Sequence, residues 1–235
     1  MAGHPLKIHP PGPFPKSRRL KPEELPQVYQ SLLDHFGHQG WWPGDTPFEM
    51  MVGAILTQNT AWINVEKAIA NLKSAGALTP LKIKNLQPEK LAALIRPSGY
   101  FRVKAKRLKI FVDFLFLEYG GDLKKMFRED GHMLREKLLQ VKGIGPETAD
   151  SILLYAAQKP FFVIDAYTKR IFSRHRISKS AAPWNYANWQ QLFMKALPAD
   201  VSLYNDFHAQ IVKLAKSYCK SNKISCDLCP LEPYL

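Results

Sequence analysis

An all-α fold is the class this sequence predicts. From Pro22 onward apolar residues recur at three- and four-residue spacing, the mark of helices that bury one face. The period-two alternation of a half-buried strand is nearly absent, and Phe161-Phe162-Val163-Ile164 is the best short extended run. Turn signals such as Ser74-Ala75-Gly76 and Pro97-Ser98-Gly99 separate the helical stretches.

Taken in order, residues 1–21 carry Pro5, Pro10, Pro11, Pro13 and Pro15 and the basic run Lys16-Ser17-Arg18-Arg19. Such a segment cannot bury enough apolar surface to offset its ordering entropy, so a flexible basic arm is expected. Leu25, Val28, Tyr29 and Leu32 mark a first helix, and Phe48, Met51, Val52, Ile55 and Leu56 a second. Further helices are expected over 60–76, 88–95, 102–118, 132–140, 146–158, 165–176, 185–196 and 203–219. No repeat of fixed period is visible.

With 235 residues the chain is long enough for one large domain or for two small lobes that share a cleft. Its 46% apolar content is ordinary for a globular protein. No apolar run reaches the roughly 18 residues of a membrane span, and the proline-rich start lacks the apolar region of a signal peptide. A soluble cytoplasmic protein with no membrane partner is the expectation. The net charge is 33 − 20 = +13. A surplus of that size is the usual footprint of a nucleic-acid binder, because neutralising phosphates releases counterions. A merely soluble basic surface is the plainer alternative. The three cysteines all lie near the C-terminal end. An odd, clustered set argues against a secreted disulfide scaffold and suggests a metal or cluster site, or its remains.

The segment 139–167, LQVKGIGPETADSILLYAAQKPFFVIDAY, carries the most chemistry. Gly143 and Gly145 allow positive φ and close backbone approach, Ile144 plugs into the core, and Pro146 suits the first position of a helix. The N–H groups at that helix start make an anion site, so Lys142, Gly143, Ile144, Gly145, Glu147 and Thr148 are candidate contacts to a DNA backbone. An apolar run then ends on one carboxylate, Asp165. A carboxylate near an oxocarbenium-like centre lowers the barrier to breaking a glycosidic bond, most effectively in a dry site. The alternative role for Asp165 is to cap the helix that starts at Ala166, and the two are compatible.

This hairpin, with its Pro-to-Asp segment, resembles the helix–hairpin–helix DNA glycosylases of the endonuclease III superfamily, over about Phe48 to Cys229. The resemblance implies a two-lobed helical fold with a central DNA-binding cleft. Residues 22–44 and 160–235 would form one lobe, and 45–159 the other. It also implies that Asp165 is the catalytic carboxylate. Members that nick the strand place a lysine on the hairpin's second helix, where this chain has Glu147. A carboxylate forms no imine, so strand cleavage by that route is not expected.

Trp41-Trp42-Pro43, the run Gly53–Thr60, Arg96-Pro97-Ser98-Gly99-Tyr100 and Lys104–Leu108 look like bacterial 3-methyladenine DNA glycosylase III. That likeness implies a base pocket walled by Trp41, Trp42, Pro43 and Trp62, with Gln210 where the subfamily carries a modified lysine. Flat aromatic walls suit a flipped, cationic, methylated purine. Core packing is the plainer role for the tryptophans. Gln58 or Asn59 would fill the hole the flipped base leaves, or else cap a helix. His208, in Phe207-His208, is expected to be structural, with a place near Asp165 as the alternative. Cys219, Cys226 and Cys229 match three ligands of a four-cysteine 4Fe-4S site, with Leu235 at the fourth position. A loop held by packing, with no cofactor required, is expected over a bound cluster. The function expected is a monofunctional base-excision-repair DNA glycosylase acting on alkylated purines such as 3-methyladenine in double-stranded DNA. A monomer associated with a bacterial nucleoid is expected. An endonuclease III-like glycosylase and AP lyase on oxidised pyrimidines is the first alternative, and a non-catalytic DNA-structure binder the second.

Overall fold

A computed structural model describes residues 18–178 and 184–234. Most of the expected basic arm (1–17) and Leu235 lie outside the described residues. Among the described residues the secondary structure is helical, with one isolated antiparallel bridge between Cys219 and Ile224. The helices are α1 (Leu25–Phe36), α2 (Pro47–Leu56), α3 (Trp62–Ser74), α4 (Pro80–Asn85), α5 (Pro88–Leu94) and α6 (Phe101–Tyr119). They continue with α7 (Leu123–Arg128), α8 (Gly131–Gln140), α9 (Pro146–Ser151), α10 (Ala166–Arg174), α11 (Tyr186–Ala196) and α12 (Val201–Ser217). No described helix is long and apolar enough to cross a membrane.

Local chemistry sets most helix starts. Thr46, Thr79, Asp122, Asp130, Asp165, Asn185 and Asp200 each accept a backbone N–H in the first turn. Prolines at the starts of α2, α4, α5 and α9 lose no intrahelical bond there. The short α4 and α7 were not expected from periodicity, since six residues are too few to show a face. Their Thr79-Pro80 and Asp122 starts were the available signal. Phe161–Ile164 is buried and non-helical, and pairs with no strand among the described residues.

The buried side chains form two clusters. The first gathers α2, α3, α5, α6, α8 and α9 around Phe48, Ile55, Leu108, Phe111 and Ile152. The second gathers α1, α10, α11 and α12 around Phe162, Phe172, Phe193, Tyr204 and Phe207. Between them runs a π-helical turn, Ile152–Ala156, that continues α9. Its wider turn sends Ile152, Leu153 and Ala156 into the first cluster and Leu154 and Tyr155 into the second. The two are also tied by Asp150. Its fully buried carboxylate takes two bonds from Arg135, at 2.6 and 3.1 Å, and one from Gln190 at 2.8 Å. A bidentate guanidinium and an amide satisfy a charge that would be costly to bury alone.

Candidate active site

The hairpin after α8 forms as its glycines require. Ile144 N–H bonds the Val141 carbonyl at 2.9 Å, and both side chains are buried. Gly143 has φ 96°, and a Cβ there would stand 2.6 Å from Arg107 Cγ. Only glycine meets both conditions. Gly145 starts α9 with open space around it, and Lys142 is exposed. Gly143 and Gly145 therefore bring backbone to the surface while Ile144 anchors it.

Gln58 Nε2 donates to the Gly143 carbonyl and to Thr148 Oγ1, both at 3.0 Å, and Gln58 Oε1 accepts from Arg107. Gln58 thus holds the hairpin with both ends of its amide. The Thr148 side chain is buried against Gln58, which leaves its backbone N–H as the group the helix start can offer. Asn59, the other candidate, is exposed with φ 55° at the tip of the turn. A second exposed tip, Tyr100 with φ 45°, was not singled out by sequence reasoning. The buried Lys104 ammonium joins the two turns, donating to Leu56 O at 2.8 Å and Ser98 O at 2.6 Å. Burial, with the Arg107 charge, lowers its pKa to about 8.

The tryptophans gather as a contiguous aromatic group. Ring centroids lie 5.4 Å apart for Trp41–Trp42, 6.0 Å for Trp41–Trp62, 4.9 Å for Trp42–Trp62 and 4.8 Å for Trp42–Tyr155. Gly53 makes room: a Cβ there would lie 3.2 Å from Trp42 Cζ2. Trp42, Pro43 and Trp62 line a cleft of about 200 Å³ with Glu49 and Glu66. Lys73 pairs with Glu49 at 2.7 Å. Trp41 Nε1 is buried and without a hydrogen-bond partner among the described residues.

Beyond Tyr155 the row reaches Asp165. The Tyr155 hydroxyl and His208 Nδ1 are 2.6 Å apart, and His208 Nε2 lies 3.6 Å from Asp165 Oδ2. Asp165 caps α10, its Oδ1 accepting from Thr168 N–H at 2.7 Å and Thr168 Oγ1 at 2.9 Å. Burial pushes the carboxyl up, but His208 and the Thr168 bonds outweigh it and hold it below its ordinary value. Asp165 is therefore a carboxylate at neutral pH. Glu147 stands exposed at the start of α9, and desolvation by the surrounding protein and the Asp165 charge raise its pKa.

Gln210 is fully buried; its Nε2 donates to Gly37 O at 2.6 Å and to Asp206 at 3.4 Å, while its Oε1 has no hydrogen-bond partner among the described residues. The three cysteines line a cavity of about 20 Å³ with Arg174 and His175. Arg174 donates to Cys219 Sγ at 3.0 Å. Burial, with the neighbouring sulfurs, raises the Cys226 thiol and pushes Cys229 up to about 11. A 4Fe-4S cluster takes four thiolates; the chain has three cysteines, and no His/Cys/Asp/Glu group that could hold a metal is found among the described residues.

A family model described as "HhH-GPD superfamily base excision DNA repair protein" matches residues 52–198. The chain is 46% identical to "Putative DNA repair glycosylase MJ1434" of Methanocaldococcus jannaschii, over 90% of this chain and 96% of that protein. It is 29% identical to the endonuclease III of Thermotoga maritima, over 79% of this chain and 81% of that protein. The crystal structure of the H. pylori 3-methyladenine DNA glycosylase bound to 1,N6-ethenoadenine is similar, with TM-score 0.72 and 31% identity. That match covers 84% of this chain and 98% of the other. A non-covalent endonuclease III–DNA complex shares the fold, with TM-score 0.77 at 20% identity, over 92% of this chain and 95% of that one.

Proposed function

The chain belongs to the HhH-GPD superfamily of base excision DNA repair proteins, and from that membership we propose that it is a monofunctional DNA glycosylase for alkylated purines. The observation that carries this reading is an ionised Asp165 at the end of a row of tryptophans, faced by Glu147 in place of an amine. The hairpin of Lys142, Gly143, Ile144 and Gly145 grips the DNA backbone. Asn59, with Tyr100 on the neighbouring turn, enters the base stack. The extruded base lies against Trp41, Trp42, Pro43 and Trp62. An electron-rich aromatic wall favours a cationic alkylated ring, and the Glu66 carboxylate on the same cleft adds to that preference. As the C1′–N bond breaks, Asp165 stabilises positive charge on the sugar, and water adds at C1′.

The H. pylori structure supports the choice of substrate, since that protein is named for 3-methyladenine and holds ethenoadenine. The test is product analysis on duplexes carrying 3-methyladenine, ethenoadenine, oxidised pyrimidines and mismatched thymine. Release of alkylated purines alone, lost in Asp165→Asn, is expected. Release confined to oxidised pyrimidines overturns the reading.

A further inference from the structure

We propose that His208 is a positioning residue of the excision site: fixed by the Tyr155 hydroxyl on one ring nitrogen, it presents the other to Asp165 and holds that carboxylate in place against the sugar. The proposal rests on Asp165 being the catalytic carboxylate. His208 lies on α12 and is 5% exposed, so its ring is held by the protein and not by solvent. Its Nε2 is buried and without a hydrogen-bond partner among the described residues, although it faces a carboxylate oxygen 3.6 Å away. That separation is within ion-pair reach, and the buried Nε2 leaves no room for a water beside it, so the ring acts on the carboxylate directly.

The proton inventory follows from Tyr155. Burial and the nearby Asp165 charge hold its phenol protonated, so it can donate to His208 Nδ1. The ring's own proton then sits on Nε2, towards Asp165. Nε2–H therefore points at Asp165 Oδ2 while Thr168 holds Oδ1. When the C1′–N bond breaks, its electron pair leaves with the base. A water oxygen bonds C1′, and its proton passes to Asp165; no other reactant is needed. The groups that face His208 from other elements are Asp165, Tyr155 and Glu147, with Lys169 acting on Glu147.

The test is single-turnover base release across pH for His208→Ala, Tyr155→Phe and Asp165→Asn, with lesion-duplex affinity measured alongside. His208→Ala is expected to slow release about tenfold or more. Its acid limb should move to higher pH, because Asp165 loses a group that lowers its pKa, while duplex affinity stays unchanged. Tyr155→Phe should show a smaller change in the same directions. Wild-type rates in His208→Ala, or slower release with an unmoved acid limb, overturn the proposal. If His208→Ala does not fold, Tyr155→Phe decides, and an unchanged rate and profile there overturns it. Normal release by Asp165→Asn sinks the proposed function itself. An inactive Asp165→Asn beside a fully active His208→Ala sinks only the role of His208.

Discussion

Gln58 donates to the Gly143 carbonyl at 3.0 Å, joining the turn after α2 to a hairpin 85 residues further along the chain. Through this bond and its partner to Thr148, the turn that carries Asn59 and the glycine hairpin hold one relative position. Arg107 completes the contact by bonding Gln58 while its stem covers Gly143.

Gln58→Ala removes those bonds and leaves the Arg107 guanidinium without its acceptor. A loss of about 1–2 kcal/mol in folding stability is expected. Duplex affinity should weaken while the preference among damaged bases stays the same. Urea melts and fluorescence anisotropy check both, and an unchanged melt counts against the strut.

Asp165→Asn keeps a capping oxygen for α10 but removes the negative charge. Base release should fall about a hundredfold or more, with lesion-duplex binding retained. Single-turnover kinetics and anisotropy separate the two effects.

On the proposed reading, Glu147 stands where strand-nicking members carry an imine-forming lysine. Wild type should give no covalent adduct with abasic DNA under borohydride, because no amine is there to condense with the sugar. Glu147→Lys should yield a trapped band on a denaturing gel. A wild-type band would show that another amine does the work.

Lys104 has its pKa lowered to about 8 by burial, below the roughly 10.4 of an unfolded chain. Between those values the unfolded state binds the proton and the folded state does not, so stability from this group rises with pH. It is lost as pH falls through about 8. Urea melts of wild type and Lys104→Met at pH 7.5 and 9.5 should show the gap shifting in favour of wild type at the higher pH. A constant gap would mean that the ammonium is not desolvated.

The cysteine loop should purify without iron. Aerobically purified protein is expected to show no absorbance band near 400 nm, since three cysteines leave a four-thiolate cluster one ligand short. A brown protein with stoichiometric iron would overturn this.

The helices and the hairpin were legible in the sequence because their signals are local. Apolar spacing, an N-cap and a proline lie within a few residues of the element they define. The position of Asp165 after a buried run was legible for the same reason. Tertiary structure alone decided what each polar side chain faces. Gln58 and Asn59 are neighbours in sequence, yet one holds the hairpin and the other stands exposed. Gln210 turned to the Gly37 carbonyl, and His208, expected to be structural, came to face Asp165. Such pairings join segments tens to well over a hundred residues apart. They depend on how two buried clusters and a π-helical turn orient whole helices, and no residue spacing along the chain records that orientation.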